Sequence, residues 1–296
     1  MKIKIDGSSG CCNGVGRAIS KAEEYLKTHR KLYSLGAIVH NDAEINRLAE
    51  KGLETVGYGN LPDMRGETIL IRAHGEPPST YAAAEQFGIE IIDCTCPVVL
   101  ALQKKIRAKY LEMKEMGGMI LIFGKQGHAE VNGLVGQTDG TAVIIDNADD
   151  LREKIRNGVV TPDSRTAIFS QTTKDPEEFA EITRILEKHK KPGTLEVFDT
   201  ICKSVSSRHN AIRDFAKECS VVFFVCGRES SNGKVLYELC RKSNPRSFKI
   251  EDCSEIDLSA IKEDDTVGIC GATSTTRWQL EKVADFILAS HEARLS

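Results

Sequence analysis

Two short segments of this chain repeat one another in a way that suits metal chemistry. Glu90-Ile91-Ile92-Asp93-Cys94-Thr95-Cys96 and Glu196-Val197-Phe198-Asp199-Thr200-Ile201-Cys202 are each a short apolar strand followed by Asp-x-x-Cys. The amino terminus offers a related stretch, in which Lys2–Ile5 reads as a strand and Gly7–Gly14 as a loop carrying Cys11 and Cys12. Thiolates drawn from three distant segments suit a soft metal centre. Iron–sulfur cubanes usually take four cysteines, so three would leave one iron open to substrate, as in a catalytic rather than an electron-carrying site. Spacing leaves Cys94 and Cys96 open as alternatives, because residues two apart in a strand face the same side. Cys11 and Cys270 also lie beside the proposed site, whereas Cys219, Cys226, Cys240 and Cys253 read as small buried hydrophobes.

Polar side chains gather at other strand ends. Leu35–Val39 leads to His40-Asn41, Thr68–Arg72 to Ala73-His74-Gly75, and Met119–Phe123 to His128 and Glu130. Thr166–Phe169 leads to Gln171-Thr172-Thr173, Val221–Val225 to Ser230-Ser231-Asn232, and Val267–Cys270 to Gly271-Ala272-Thr273-Ser274. Histidines, hydroxyls, amides and nearby helix starts together make an anion site, a phosphate or diphosphate being the natural occupant. A mixed histidine and cysteine metal site is the competing reading. Glu130 in a dry cavity would have a raised pKa and could deliver protons near neutral pH. Taken alone, its place at a helix start favours the blander reading of a solvated acid beside the helix dipole.

The elements that must position these groups recur three times. Each copy has strands alternating with helices, which argues for mainly parallel sheets, and ligands bind beyond the carboxyl ends of such strands. The chain of 296 residues therefore reads as three α/β domains, at 1–96, 97–197 and 198–296. If the three face inward, their polar clusters line one cavity with a cysteine from each. Composition agrees with a soluble globular protein, at 41% hydrophobic and 28% charged residues. The net charge of -3 gives no reason to expect nucleic acid as a partner. No apolar run approaches the length of a membrane span, and the first residues lack the apolar core of a signal peptide, so the expected location is cytoplasmic. Ten cysteines without a C-x-x-C pair fit neither a disulfide framework in a reducing cytosol nor a zinc ribbon.

These segments resemble the 4-hydroxy-3-methylbut-2-enyl diphosphate reductase family, over nearly the whole chain. Gly10-Cys11-Cys12-Asn13-Gly14-Val15-Gly16-Arg17-Ala18-Ile19 is similar to that family's G-x-C-x-G-V-x-R-A-I opening. Val39-His40-Asn41, Ala73-His74-Gly75, Thr95-Cys96-Pro97, Gly127-His128-Ala129-Glu130-Val131-Asn132-Gly133, Gln171-Thr172-Thr173, Ile201-Cys202, Ser230-Ser231-Asn232 and Gly271–Ser274 follow in the family's order. The resemblance implies a trefoil of three α/β domains around a [4Fe–4S] cluster held by Cys12, Cys96 and Cys202, with one open iron. It implies that His40, His74, His128, Ser230, Ser231, Asn232 and Ser274 bind the substrate diphosphate. It further implies that Glu130 supplies protons, with His128 and Thr172 assisting.

The implied reaction removes the allylic hydroxyl and yields isopentenyl and dimethylallyl diphosphates, the last step of the methylerythritol phosphate route. Electrons would come from a flavodoxin or ferredoxin, and the enzyme would be a monomer or homodimer. The alternatives are a cluster-dependent hydratase or lyase on a related phosphorylated substrate, which needs no electrons, and a non-enzymatic iron–sulfur sensor. Glu76 departs from the pattern, since an acid beside a diphosphate is electrostatically awkward. It is expected to point outward ahead of Pro77-Pro78, with Lys125 offsetting its charge. Ala129 and Thr276 stand where prolines are common in the family's motifs.

Overall fold

The structure, a computed structural model, describes residues 1–228 and 230–295, without the side chains of Ser231, Arg294 and Leu295. In chain order the strands and helices are β1 (Lys2–Ile5), α1 (Asn13–Leu26), β2 (Leu32–Leu35), α2 (Asp42–Ala49), β3 (Leu53–Val56), β4 (Thr68–Ile71), α3 (Pro78–Phe87), β5 (Glu90–Asp93) and α4 (Pro97–Glu115). There follow β6 (Met119–Phe123), α5 (Ala129–Gly136), β7 (Val143–Ile145), α6 (Ala148–Arg156), β8 (Thr166–Ser170), α7 (Pro176–His189) and β9 (Leu195–Phe198). The last third holds α8 (Lys203–Lys217), β10 (Val221–Val225), α9 (Ser231–Ser243), β11 (Ser247–Ile250), β12 (Thr266–Gly271) and α10 (Arg277–Leu295).

The strands form three four-stranded sheets, ordered β3-β2-β4-β5, β7-β6-β8-β9 and β11-β10-β12-β1. Neighbouring strands run parallel wherever their register is defined. Written this way, the sheets are one pattern: second strand, first, third, fourth. The cysteine-bearing loops follow the fourth, edge strand in every case: β5, β9 and β1. This corrects the assignment of Lys2–Ile5 to the first third of the chain. β1 completes the last sheet, pairing Lys2–Ile5 with Thr266–Ile269. Each sheet of this pattern needs a fourth strand, and the last third supplies only β10, β11 and β12, so the amino terminus fills the remaining edge.

Two compact units contain these sheets. One comprises residues 1–31, 37–54 and 203–296, with the sheet that includes β1; the other comprises 32–36 and 55–202, with β4–β9 and both remaining sheets. Alternation along the central strands builds their cores. In β6, Ile120 and Ile122 meet Leu102, Ile106 and Met113 of α4, while Leu121 and Phe123 meet Leu151 of α6 and Phe179, Ile182 and Leu186 of α7. In β10, Val222 and Phe224 face α8 and α9, and Val221, Phe223 and Val225 face α10. Strands covered on both faces must be apolar at every position, which is why β6 and β10 read as continuous hydrophobic runs. The strand expected at Leu35–Val39 lies earlier, at Leu32–Leu35, because Gly36 takes φ 71° and ends it. Cys219, Cys226, Cys240 and Cys270 lie in the core between α8, α9 and the sheet, as small apolar fillers.

Candidate active site

The three edge-strand loops are built alike. Asp6, Asp93 and Asp199 each end a strand and turn the chain back, their Oδ1 accepting the backbone N–H two residues on: Ser8 at 3.0 Å, Thr95 at 2.8 Å and Ile201 at 3.2 Å. Each loop then reaches a cysteine immediately before a helix: Cys12 before α1, Cys96 before α4 and Cys202 before α8. The cysteine's backbone N–H is tied to the loop beyond the neighbouring strand. Cys12 donates to the Thr273 carbonyl at 3.1 Å, Cys96 to Ala73 at 3.0 Å and Cys202 to Thr172 at 2.9 Å. Each thiol-bearing residue is therefore locked to the loop that carries Ser274, His74 or Thr172.

The cysteines that spacing left open differ in exposure and position. Cys96 is half-buried at a helix start, whereas Cys94 is 1% exposed behind it. Cys12, not Cys11, holds the position before α1. The side chains of Cys12 and Cys96 make no capping bond to their helices, and no described cysteine is in a disulfide. Thiols at helix starts are a donor type that suits a soft metal.

In the unit holding residues 55–202, Glu130 is the central group. It lies in the first turn of α5 and is only 1% exposed. The backbone N–H of Thr172 donates to its Oε1 at 2.7 Å and the Thr172 hydroxyl to its Oε2 at 2.9 Å. Burial pushes its carboxyl up to about 7, with the two Thr172 bonds pulling the other way. The solvated reading of Glu130 is thereby overturned: the loop after β8 covers it. His128 caps the same helix, its Nδ1 accepting from the Glu130 N–H at 3.2 Å, so a neutral ring carries its proton on Nε2. The His74 ring stands edge-on to it, with centroids 5.2 Å apart. Gly75 takes φ 71° and lies so close to Gln103 and Thr95 that a side chain there would collide with both. Ala129 is the first residue of α5, a position whose N–H needs no helical partner, so proline and alanine serve equally.

Glu76 does not point outward. It is 1% exposed, accepts from the Tyr58 hydroxyl at 2.5 Å and from the Thr80 hydroxyl at 3.2 Å, and its pKa is raised by burial. Arg72, not Lys125, is the cation acting on it. Pro77 and Pro78 start α3, and the turn into that helix carries Glu76 inward beneath Thr80.

In the other unit, Thr273 and Ser274 gather the remaining groups. Asn232 Oδ1 accepts from the Thr273 N–H at 3.2 Å and from its hydroxyl at 2.9 Å. That leaves the buried Asn232 Nδ2 without a hydrogen-bond partner among the described residues. The Ser230 and Ser274 hydroxyls lie 3.2 Å apart, and Ser230 also caps α9 through the Gly233 N–H. Asn41, which caps α2 directly after His40, donates to the Ser274 carbonyl at 2.9 Å and exchanges bonds with Gln279 at 2.6 and 3.1 Å. Gln279 Oε1 also accepts the N–H and hydroxyl of Thr276, so the residue in the usual proline position has both donors satisfied. A side chain at Gly227 would strike the His40 carbonyl, so glycine there lets the two segments meet. The Ser231 side chain lies outside the described residues. Sequence reasoning missed Arg208, Thr273 and Gln279. Thr273 sits in a recognised loop, but nothing local marks Arg208 or Gln279.

A buried acid titrating near neutrality, at the strand ends of a parallel scaffold, is equipment for proton transfer, and the class that fold and site define is an α/β enzyme. Comparison narrows the class. The family model described as LytB protein matches residues 3–288. A 4-hydroxy-3-methylbut-2-enyl diphosphate reductase of Porphyromonas gingivalis is 48% identical, over 98% of this chain and 99% of that protein. One from Bacteroides fragilis is 45% identical over 98% of each. A solved (E)-4-hydroxy-3-methyl-but-2-enyl diphosphate reductase, titled the terminal enzyme of the non-mevalonate pathway, is 30% identical with a TM-score of 0.70, over 97% of this chain and 99% of that one. A solved E-1-hydroxy-2-methyl-but-2-enyl-4-diphosphate reductase from Plasmodium falciparum shares the fold at a TM-score of 0.82 and 24% identity, over 96% of this chain and 87% of that one. The chain belongs to the LytB protein family.

Proposed function

We propose that this enzyme reduces 4-hydroxy-3-methylbut-2-enyl diphosphate to isopentenyl and dimethylallyl diphosphates in the cytoplasm, using a [4Fe–4S] cluster held by Cys12, Cys96 and Cys202. The observation that carries the reading is Glu130, a fully buried carboxyl with a pKa of about 7 held by two bonds from Thr172. The bound cluster would supply a Lewis-acidic iron for the substrate hydroxyl and a relay for electrons. The balance is two electrons and two protons: the carbon–oxygen bond breaks, oxygen leaves as water with one proton, and the allylic carbon skeleton takes the other. Glu130 is half-protonated near pH 7, which suits a group that must both give and regain protons. Thr172 fixes the carboxyl's orientation and holds both of its oxygens.

The remaining side chains bind and orient. Asn232 Nδ2 is a buried donor with nothing in the described protein to satisfy it, as a diphosphate oxygen would. Ser230, Ser274, His40, His74 and His128 add hydroxyl and ring donors, and anchoring the diphosphate would hold the distant hydroxymethyl end in place. Electrons would come from a one-electron carrier such as a flavodoxin or ferredoxin.

The test is anaerobic turnover of the diphosphate with a strong one-electron donor, comparing the wild type with Glu130→Gln. Both isoprenoid diphosphates form with the wild type, and the variant loses nearly all turnover. Inactive protein with a full complement of iron and sulfide would sink the reductase reading.

A further inference from the structure

The loop to Cys12 differs from its two counterparts in length. Asp93 precedes Cys96 by three residues and Asp199 precedes Cys202 by three, but Asp6 precedes Cys12 by six. In the shorter loops one Asp turn delivers the cysteine straight to its helix. The longer loop has three more residues to place, among them Gly10 at φ 138°, a conformation in which glycine is at home. Every added rotatable residue widens the positions open to the following thiol unless something restrains it.

Arg208 on α8 provides that restraint. Its guanidinium donates through Nη1 to the Gly10 carbonyl at 2.8 Å and through Nη2 to the Ser8 carbonyl. The planar fork suits two carbonyls at once, as a lysine ammonium does not. Asp6 grips the same loop from its other side, its Oδ2 accepting the Ser8 hydroxyl at 2.7 Å and the Ser9 hydroxyl at 2.6 Å. The Ser9 oxygen accepts in turn from the Gly271 N–H at 3.0 Å, joining the loop to the end of β12. Arg208 is mostly buried, with Asp6, Cys12 and Cys11 among the groups near its guanidinium.

We propose that Arg208 is the positioning residue for Cys12, replacing by a two-carbonyl clamp the tight turn that seats Cys96 and Cys202, and setting a fixed positive charge near Cys12, which would hold the cluster. The charge role rests on the cluster reading of Cys12; the clamp does not. A permanent cation near a bound cluster would favour its reduced, more negative state and so raise its midpoint potential.

Two measurements on Arg208→Met and Arg208→Lys separate the parts. Amide hydrogen exchange across Gly7–Cys12 reports the clamp. In Arg208→Met, amides of Ser8, Ser9 and Cys12 exchange about tenfold faster or more, as expected for losing bonds to a charged donor, while amides of α10 keep the wild-type rate. Arg208→Lys, able to hold one carbonyl, falls between. A potential titration of the reconstituted protein, followed by electron spin resonance, reports the charge: Arg208→Met moves to a more negative midpoint and Arg208→Lys returns towards the wild type. Wild-type exchange in Arg208→Met overturns the clamp, and a wild-type midpoint overturns the charge role. A wild-type protein that takes up no iron overturns the cluster reading and the charge role with it, and the exchange rates still decide the clamp.

Discussion

Thr172 grips Glu130 twice, its backbone N–H on one carboxyl oxygen at 2.7 Å and its hydroxyl on the other at 2.9 Å. The two residues are 42 positions apart in sequence, and the contact both buries the acid and orients it. Both Thr172 bonds favour the charged form, so Thr172→Val, which deletes only the hydroxyl, moves the Glu130 pKa further upward. The expected outcome is an alkaline limb of kcat displaced to higher pH, with a loss about tenfold or more smaller than that of Glu130→Gln. A pH profile of single turnovers checks it, and a limb unmoved by Thr172→Val would remove Glu130 as its source.

The same burial makes stability depend on pH. The Glu130 pKa rises from an ordinary 4.5 to about 7 in the folded protein. Between these values the native state binds more protons than the unfolded chain, so this group's contribution is fully present below pH 4.5 and is lost as pH rises through 7. The full swing is on the order of 3 kcal/mol. Glu130→Gln removes the dependence and is more stable than wild type at pH 8, as denaturant melts at pH 5 and pH 8 will show. Equal slopes in the two proteins would contradict the buried acid.

The charge of Arg72 acts on the buried Glu76, to which Tyr58 also donates. Replacing Glu76 by leucine leaves the mostly buried Arg72 charge without its counter-charge, and the expected loss is about 3 kcal/mol. Replacing both by leucine recovers most of that loss, since no buried charge then remains. Urea midpoints of the two single variants and the double variant measure the coupling. Additive losses would show that Arg72 and Glu76 act independently.

Gln279 touches none of the proposed substrate groups, yet it holds Asn41 and, through it, the Ser274 carbonyl. Gln279→Leu strips Asn41 of one of its partners and removes the Gln279 oxygen that accepts from the Thr276 N–H and hydroxyl. The expected result is a KM for the diphosphate raised about tenfold with kcat nearly kept, because binding is loosened while Glu130 is untouched. A fall in kcat at constant KM would place Gln279 outside the binding wall.

Gly227→Ala tests how closely the His40 segment must approach. The added Cβ would meet the His40 carbonyl and the Asn41 backbone, and neither is the flexible end of a side chain. The variant is expected to lose about 1–3 kcal/mol by overpacking, measured by thermal unfolding, and to raise KM for the diphosphate. Unchanged stability and KM would show that the two segments can part without cost.

What local order carries was legible from the residues themselves. Strand–loop–helix repetition, the Asp-x-x-Cys copies and the polar strand ends follow from hydrophobic periodicity and turn chemistry, each confined to a few consecutive residues. They identified the parallel α/β class and marked Glu130, His74 and His128 as residues that follow strand ends. Family resemblance was needed to prefer Cys96 over Cys94, since both lie on the same face of an extended segment; in the structure Cys96 directly precedes α4 and is half-buried, and Cys94 is buried.

Choices between distant partners were decided only by the tertiary structure. An edge strand such as Lys2–Ile5 alternates lysine and isoleucine whichever sheet it joins, and only the open edge beside β12 selects it. Glu130 reads as a solvated helix-start acid until the Thr172 loop closes over it, and Glu76 reads as an outward acid until Tyr58 and Thr80 receive it. Arg208 is one more surface-type cation in sequence; its two carbonyl partners lie about two hundred positions away. Periodicity encodes which face is apolar, but desolvation and hydrogen-bond pairing depend on what packs against that face, and that is set by the whole chain.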